Sequence, residues 1–241
     1  MFDTIKIADK KNTFFIAHRG LSGLELENTN SAFVAAGNRS YFGIETDVHV
    51  TRDGKFVVHH DDSTGRLCNE DLTIGQTDYE KIKSLNLKPQ KNRTVGSDFK
   101  IPDLKDYLSI CSQYEKIAVL ELKERMTPET IRGIYAEVEK YYDPSKLIFI
   151  SFSLDNLKDL RAWQPSANIQ YLVQRFDNEI LNCLKEFKFD LDIGHWVCSK
   201  EVIDTCHKNG IKVNCWTVDN PGDAERLIDF GVDYITSNIL E

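Results

Sequence analysis

The sequence contains nothing near the roughly 20 consecutive apolar residues that a membrane helix requires, and its opening, MFDTIKIADKKN, lacks the hydrophobic core of a secretory signal. These absences point to a soluble, cytoplasmic protein without stable membrane insertion. Positive charge is in deficit, with 30 Lys plus Arg against 38 Asp plus Glu and a formal net charge of −8. A broad basic surface for a nucleic-acid partner is thereby excluded, whereas a small anion needs only a few local cations, helix N-termini or a metal ion. The six cysteines, at 68, 111, 183, 198, 206 and 215, include no CxxC pair. A chain of this length needs no disulfides to hold its core, so reduced, mostly packed thiols are expected. No Pro/Gly/Ser linker, low-complexity tract or internal repeat divides the chain, and residues 1–241 are read as one domain.

Of the residues present, 41% are hydrophobic, enough for a large core. Short β-branched or aromatic runs recur, each followed by a polar or amphipathic segment. They are Thr13–Ala17, Gly43–Val50, Lys55–His59, Ile117–Leu122, Leu147–Phe152, Ile169–Val173, Phe189–Ile193, Ile211–Val218 and Val232–Thr236. The second and third are joined by Thr51-Arg52-Asp53-Gly54, a hairpin signal, so one of the nine is the return arm of a hairpin. The other eight, with helices such as Pro128–Tyr141 and Asp223–Phe230 between them, predict an α/β fold of the (β/α)8 TIM-barrel type. A doubly wound open sheet is the alternative. Segment 61–100 is too long for an ordinary connection and reads as a small insertion capping one end of the barrel.

In such a barrel the chemistry belongs where strands end and βα loops begin. The first strand ends in His18-Arg19-Gly20, a proton-transfer group beside an oxyanion clamp, or simply a capped strand end with a surface Arg. Glu45 and Asp47 are two apart and share a strand face. Paired carboxylates repel unless a cation or proton lies between them, and Ca²⁺ or Mg²⁺ prefers such oxygens; two acids facing solvent on an edge strand are the other reading. A two-residue Asp53-Gly54 turn sets Asp47 opposite His60, whereas a bulge brings His59 forward. Glu121 and Lys123 share a face at the end of an apolar strand, either as a buried pair or as a third acid and a cation at the same mouth.

With these residues in order, the sequence resembles the glycerophosphodiester phosphodiesterase family from His18 almost to its last residue. The resemblance rests on His18-Arg19-Gly20, Glu27-Asn28-Thr29 with Ala32-Phe33, Glu45-x-Asp47-Val48 through Thr51-x-Asp53-Gly54, and Val57-Val58-x-His60-Asp61. Ile101-Pro102, Glu121-x-Lys123, Ser151-Phe152, Trp216-Thr217-Val218 and Gly231-Val232-Asp233 extend it. It implies a (β/α)8 barrel that hydrolyses glycerophosphodiesters with one divalent cation, Ca²⁺ or Mg²⁺, as cofactor. It further implies Glu45, Asp47 and Glu121 as metal ligands, His18 and His60 as acid and base, and Arg19 and Lys123 as phosphate holders. Glu27 would orient Arg19 or approach the metal, and Trp216 would line the glycerol pocket or pack within the barrel.

Three departures from the family pattern stand out. Leu26 replaces Pro before Glu-Asn-Thr, Asp219 replaces Asn after Trp-Thr-Val, and Ser237-Asn238-Ile239-Leu240 replaces Thr-Asp-x-Pro. They bear on the last loop and on the fit of the substrate's alcohol portion. The competing functions are a lipid phosphodiesterase of the lysophospholipase D kind and a non-catalytic phosphodiester-binding protein. His49, His59, His195 and His207 have no motif role and read as structural residues; His195, which follows a strand end, is either a hydrogen-bonded structural histidine or one that reaches the pocket.

Overall fold

The structure, a computed structural model, describes residues 3–88 and 99–241. Strands β1 (Phe14–Ala17), β2 (Gly43–Val50), β3 (Phe56–Val58), β4 (Ile117–Leu122), β5 (Leu147–Ser151), β6 (Asn168–Val173), β7 (Asp190–Gly194), β8 (Val213–Trp216) and β9 (Tyr234–Ser237) form one sheet. All but β3 are parallel, and β1 pairs with both β2 and β9, which closes an eight-stranded barrel. The nine apolar runs of the sequence correspond to these strands. The open-sheet alternative is therefore set aside.

The described helices are α1 (Asn30–Gly37), α2 (Tyr79–Ser84), α3 (Leu104–Gln113), α4 (Pro128–Tyr141), α5 (Leu154–Trp163), α6 (Asn178–Phe187), α7 (Lys200–Lys208) and α8 (Pro221–Phe230). All but α2 lie in the crossovers between consecutive barrel strands. Most begin at a residue whose side-chain oxygen accepts a hydrogen bond from the first turn: Thr29, Thr127, Ser153, Asp177, Ser199 and Asn220. Pro221 follows the Asn220 cap at the first helical position, so α8 starts two residues before the sequence pattern indicates. The main core joins outward-facing strand residues such as Ile44, Val48 and Leu120 to helix residues such as Phe33, Leu108 and Ile134. All six cysteines are unpaired, and all but Cys183 are buried. No helix among the described residues is long and apolar enough to cross a membrane.

Strand β2 positions most of the site. Its first two residues pair with β1, its last three pair with β3, and its other edge pairs with β4 from Gly43 to Val48. It thus extends past the barrel rim and carries acidic side chains to the mouth. The hairpin corrects the two-residue turn read from the sequence. The Thr51 N–H donates to Lys55 O and the Gly54 N–H to Thr51 O, leaving a three-residue loop of Arg52, Asp53 and Gly54. Gly54 supplies the left-handed φ of +76° that such a loop requires. The register moves by one residue, and the His59 N–H donates to Asp47 O at 3.1 Å. The His59 ring then turns into a buried contact with Ser63 O, and His60 lines the cavity instead.

The described part of the insertion contains α2 and a 3-10 turn at Ile74–Gln76. It has its own apolar cluster, in which Leu67, Ile74, Ile82 and Leu85 pack against Val57 and Leu26. Positions 89–98 of that insertion lie outside the described residues.

One buried hydroxyl ties α3 to the two strands that bear the acids. Tyr107 donates to Ile44 O at 2.7 Å and accepts from the Val119 N–H at 2.9 Å. Tyr107→Phe leaves both backbone groups without that partner and should cost about 1–3 kcal/mol of stability. Urea unfolding should show a lower midpoint with an unchanged slope. An unaltered midpoint would show that the hydroxyl does not hold this part of the barrel.

Candidate active site

The first mouth segment follows β1. Arg19 and Gly20 both take left-handed φ values, +54° and +72°. At Gly20 a Cβ would lie 2.7 Å from the Ala32 backbone, so only glycine lets α1 approach. This turn aims the Arg19 N–H at Glu45 Oε2, 2.8 Å away. It also leaves His18 Nε2 4.0 Å from the same carboxylate.

Glu45 and Asp47 project inward from β2, and Glu121 of β4 pairs laterally with Asp47. One oxygen from each of the three lies within 4.8 Å of the others, and all three residues are buried. Lys123 Nζ is 3.4 Å from Asp47 Oδ1 and 3.0 Å from Glu121 Oε1. Arg19 Nε is 3.8 Å from Asp47 Oδ2. Asn28, at φ +53°, donates to Asp47 Oδ2 at 2.7 Å while its Oδ1 accepts from Thr46 Oγ at 2.7 Å.

Three acids meet only two cations here, and the ionisation pattern follows. Burial, with the charges of Asp47 and Glu121, pushes Glu45 well above the ordinary carboxylate range. Burial and Asp47 push Glu121 up to about 7. Burial also acts against Asp47, but Lys123 and Arg19 outweigh it and hold that group low. A cluster of hard, buried oxygens that favours a proton on Glu45 is a good receptor for a divalent cation. Glu45, Asp47 and Glu121 fit that role on donor type and mutual distance.

Glu27 accepts from Arg19 Nη1 at 2.8 Å and from Arg66 at 2.7 and 2.9 Å. Arg66 also donates to Asp61 Oδ2 at 2.6 Å, and Asp61 Oδ1 lies 2.7 Å from His60 Nδ1. One ion-paired chain therefore runs from Arg19 to His60. Burial, reinforced by Arg19, lowers His18 to about 4 and favours its neutral form. Burial is also the largest cause lowering His60, with Asp47 acting in the opposite sense.

His18, Arg19, Glu45, His60 and Glu121 share one cavity with Ile150, Phe152, Leu172, Asp192 and Trp216. Strands β1, β2 and β4 thus give it a charged arc, and β5, β6 and β8 a largely apolar one. Trp216 stands edge-to-face between Phe152 and Trp196, each ring centre 5.5 Å away. Every site residue named from the sequence falls at this mouth. Lys123 and Asp47 join through their ion pairs, and Glu27 joins through Arg19 rather than through the acid cluster.

Sequence reasoning passed over Asn28, Asp61, Arg66 and Asp192. Asn28 and Asp61 sit inside quoted motifs, directly after Glu27 and His60. Asp192 had a signal too, since it alternates with Phe189, Leu191 and Ile193, and the strand face opposite those helix-packed residues is the barrel interior. Arg66 had none, because its contacts to Glu27 cross 39 positions of the chain.

The Asn28 contact generates a direct test. Asn28→Gly retains access to a positive φ and removes the amide that bonds Asp47 and, behind it, Thr46. It should weaken divalent-cation affinity about 10–100-fold, read by isothermal titration calorimetry. Undiminished affinity would show that Asp47 needs no such orientation.

Comparison with known proteins gives a concordant result. The model of the glycerophosphoryl diester phosphodiesterase family matches residues 18–240. A glycerophosphodiester phosphodiesterase of Caldanaerobacter subterraneus is 30% identical over 229 residues, 94% of each chain. A solved Oleispira antarctica phosphodiesterase, in complex with its product sn-glycerol-3-phosphate, superposes with a TM-score of 0.85 at 26% identity, over 94% of this chain and 93% of that one. A glycerophosphodiester phosphodiesterase structure from Parabacteroides distasonis gives 0.81 at 29% identity, over 95% and 94%. With barrel, buried acids and mouth histidines in place along the matched length, the chain belongs to the glycerophosphodiester phosphodiesterase family and is a phosphoric diester hydrolase.

Proposed function

We propose that the protein hydrolyses small glycerophosphodiesters to glycerol 3-phosphate and an alcohol such as choline or ethanolamine. His18 and His60 would move the protons, with one Ca²⁺ or Mg²⁺ held by Glu45, Asp47 and Glu121. The observation that carries this reading is one cavity lined by His18, His60, Glu45 and Glu121, with Asp47 completing the buried carboxylate cluster beside it.

A phosphodiester resists attack because its anion repels the nucleophile and its alkoxide is a poor leaving group. The cation, when bound, supplies the positive charge that offsets the first obstacle. Arg19 and Lys123 add fixed positive charge beside it and draw the phosphoryl oxygens toward the acid cluster. The Nδ1 atoms of His18 and His60 are both occupied, by Asn238 Oδ1 and Asp61 Oδ1, so proton transfer falls to the Nε2 atoms. One ring removes a proton from the nucleophile and the other protonates the departing alcohol. The apolar arc with Trp216 packs the carbon skeleton of the glycerol portion.

One feature favours a second reading. Phe152 and Trp196 are 44% and 58% exposed beside the mouth, a surface that suits an apolar group on the alcohol side. A lysophospholipid would use it more than glycerophosphocholine would. Comparing the two substrates separates a lipid-cleaving enzyme from one acting on deacylated diesters.

Glycerol 3-phosphate release from glycerophosphocholine and glycerophosphoethanolamine should cease in EDTA and return with Ca²⁺ or Mg²⁺. Full activity after thorough chelation would remove the metal from the account. His18→Ala and His60→Ala should each lower kcat by about 10²–10⁴-fold while circular dichroism stays unchanged. Near-native turnover in both variants would overturn the histidine roles.

A further inference from the structure

The loops after β8 and β9 meet behind His18, and their hydrogen bonds form a directed series. Asp219 Oδ1 accepts from the Asn238 N–H at 2.8 Å and from Ser237 Oγ at 3.0 Å. Asp219 Oδ2 accepts from Asn238 Nδ2 at 2.6 Å. On the other side of that amide, Oδ1 accepts from Ser22 Oγ at 2.6 Å and lies 2.8 Å from His18 Nδ1. An ionised carboxylate only accepts, so the Asn238 atom facing Asp219 must be its NH₂ group. The atom facing His18 is then the amide oxygen, which also only accepts. His18 must accordingly carry its proton on Nδ1, leaving Nε2 as the bare nitrogen.

We propose that Asp219, acting through the Asn238 amide, fixes the Nδ1–H tautomer of His18 and makes both loop residues positioning residues for proton transfer. The two histidines thus use different devices at Nδ1, since His60 Nδ1 meets a carboxylate, Asp61, directly and His18 Nδ1 reaches Asp219 through an amide, while His18 Nε2 stands 4.0 Å from Glu45. Two of the departures noted from the sequence, Asp219 and Asn238, are the two ends of one hydrogen bond. In sequence, the carboxylate and the amide stand at positions exchanged relative to the family pattern, and in this structure they form one donor–acceptor pair. Two amides in contact would leave the Asn238 orientation undetermined. Two carboxylates at 2.6 Å would repel.

The significance for turnover rests on the proton-transfer role proposed for His18; the tautomer itself does not. The first measurement is a long-range ¹H–¹⁵N correlation spectrum of ¹⁵N-histidine-labelled protein, with His18 assigned by its loss in His18→Gln. It should show His18 protonated at Nδ1 in the unaltered chain and in the double exchange Asp219→Asn/Asn238→Asp, and mixed or reversed in Asp219→Asn. Each single exchange, Asp219→Asn or Asn238→Asp, should lower kcat about 10–100-fold with KM within about twofold, and the double exchange should recover most of the loss. An Nε2–H tautomer in the unaltered protein, or an Asp219→Asn variant with native spectrum and kcat, would overturn the proposal. Full activity in His18→Ala would remove the proton-transfer role alone, because the spectrum still decides the tautomer.

Discussion

The mutual repulsion of Glu45, Asp47 and Glu121 is the constraint around which the mouth of this barrel is built. Carboxylates this close and this buried cannot all be charged without compensation. Arg19 and Lys123 supply part of it, and the upward displacement of Glu45 and Glu121 shows that a deficit remains. A divalent cation would fill that deficit with charge and with a demand for oxygen ligands. The same ion would give a phosphodiester its place between the acids and the histidines.

The fold delivers these charges by a small number of local devices. A long β2 shares its edge between β1 and β3, so Asp47 remains in the sheet while the chain passes the rim. The left-handed turn at Arg19 and Gly20 points a backbone N–H at Glu45, and Asn28 holds Asp47 with its side chain. Outside this layer, Arg66 and Glu27 bridge Arg19 to the Asp61–His60 pair. The described part of the insertion therefore contributes a charged residue, Arg66, to the mouth.

Much of this was legible because it is local in sequence. Apolar runs of strand length marked the barrel, and the two-residue spacing of Glu45 and Asp47 placed both acids on one face. Of the two hairpin registers open in the sequence, the shifted one is found, because Gly54 closes a loop of three rather than a two-residue turn. What stayed out of sight depends on contacts between distant segments. The Arg66–Glu27 pair and the link from Asp219 through Asn238 to His18 join loops that meet only after the barrel closes.

The most direct test of the carboxylate account is equilibrium unfolding of the unaltered protein and of Glu45→Gln, each with EDTA and with saturating divalent cation. Without the ion, Glu45→Gln should be the more stable of the two, because the folded unaltered protein must bind a proton on Glu45 or bear its repulsion, and glutamine does neither. With the ion, the unaltered protein should gain stability, the variant should gain little, and the order should reverse. An unaltered protein whose midpoint ignores the cation, or a variant that is less stable even in EDTA, would contradict the account.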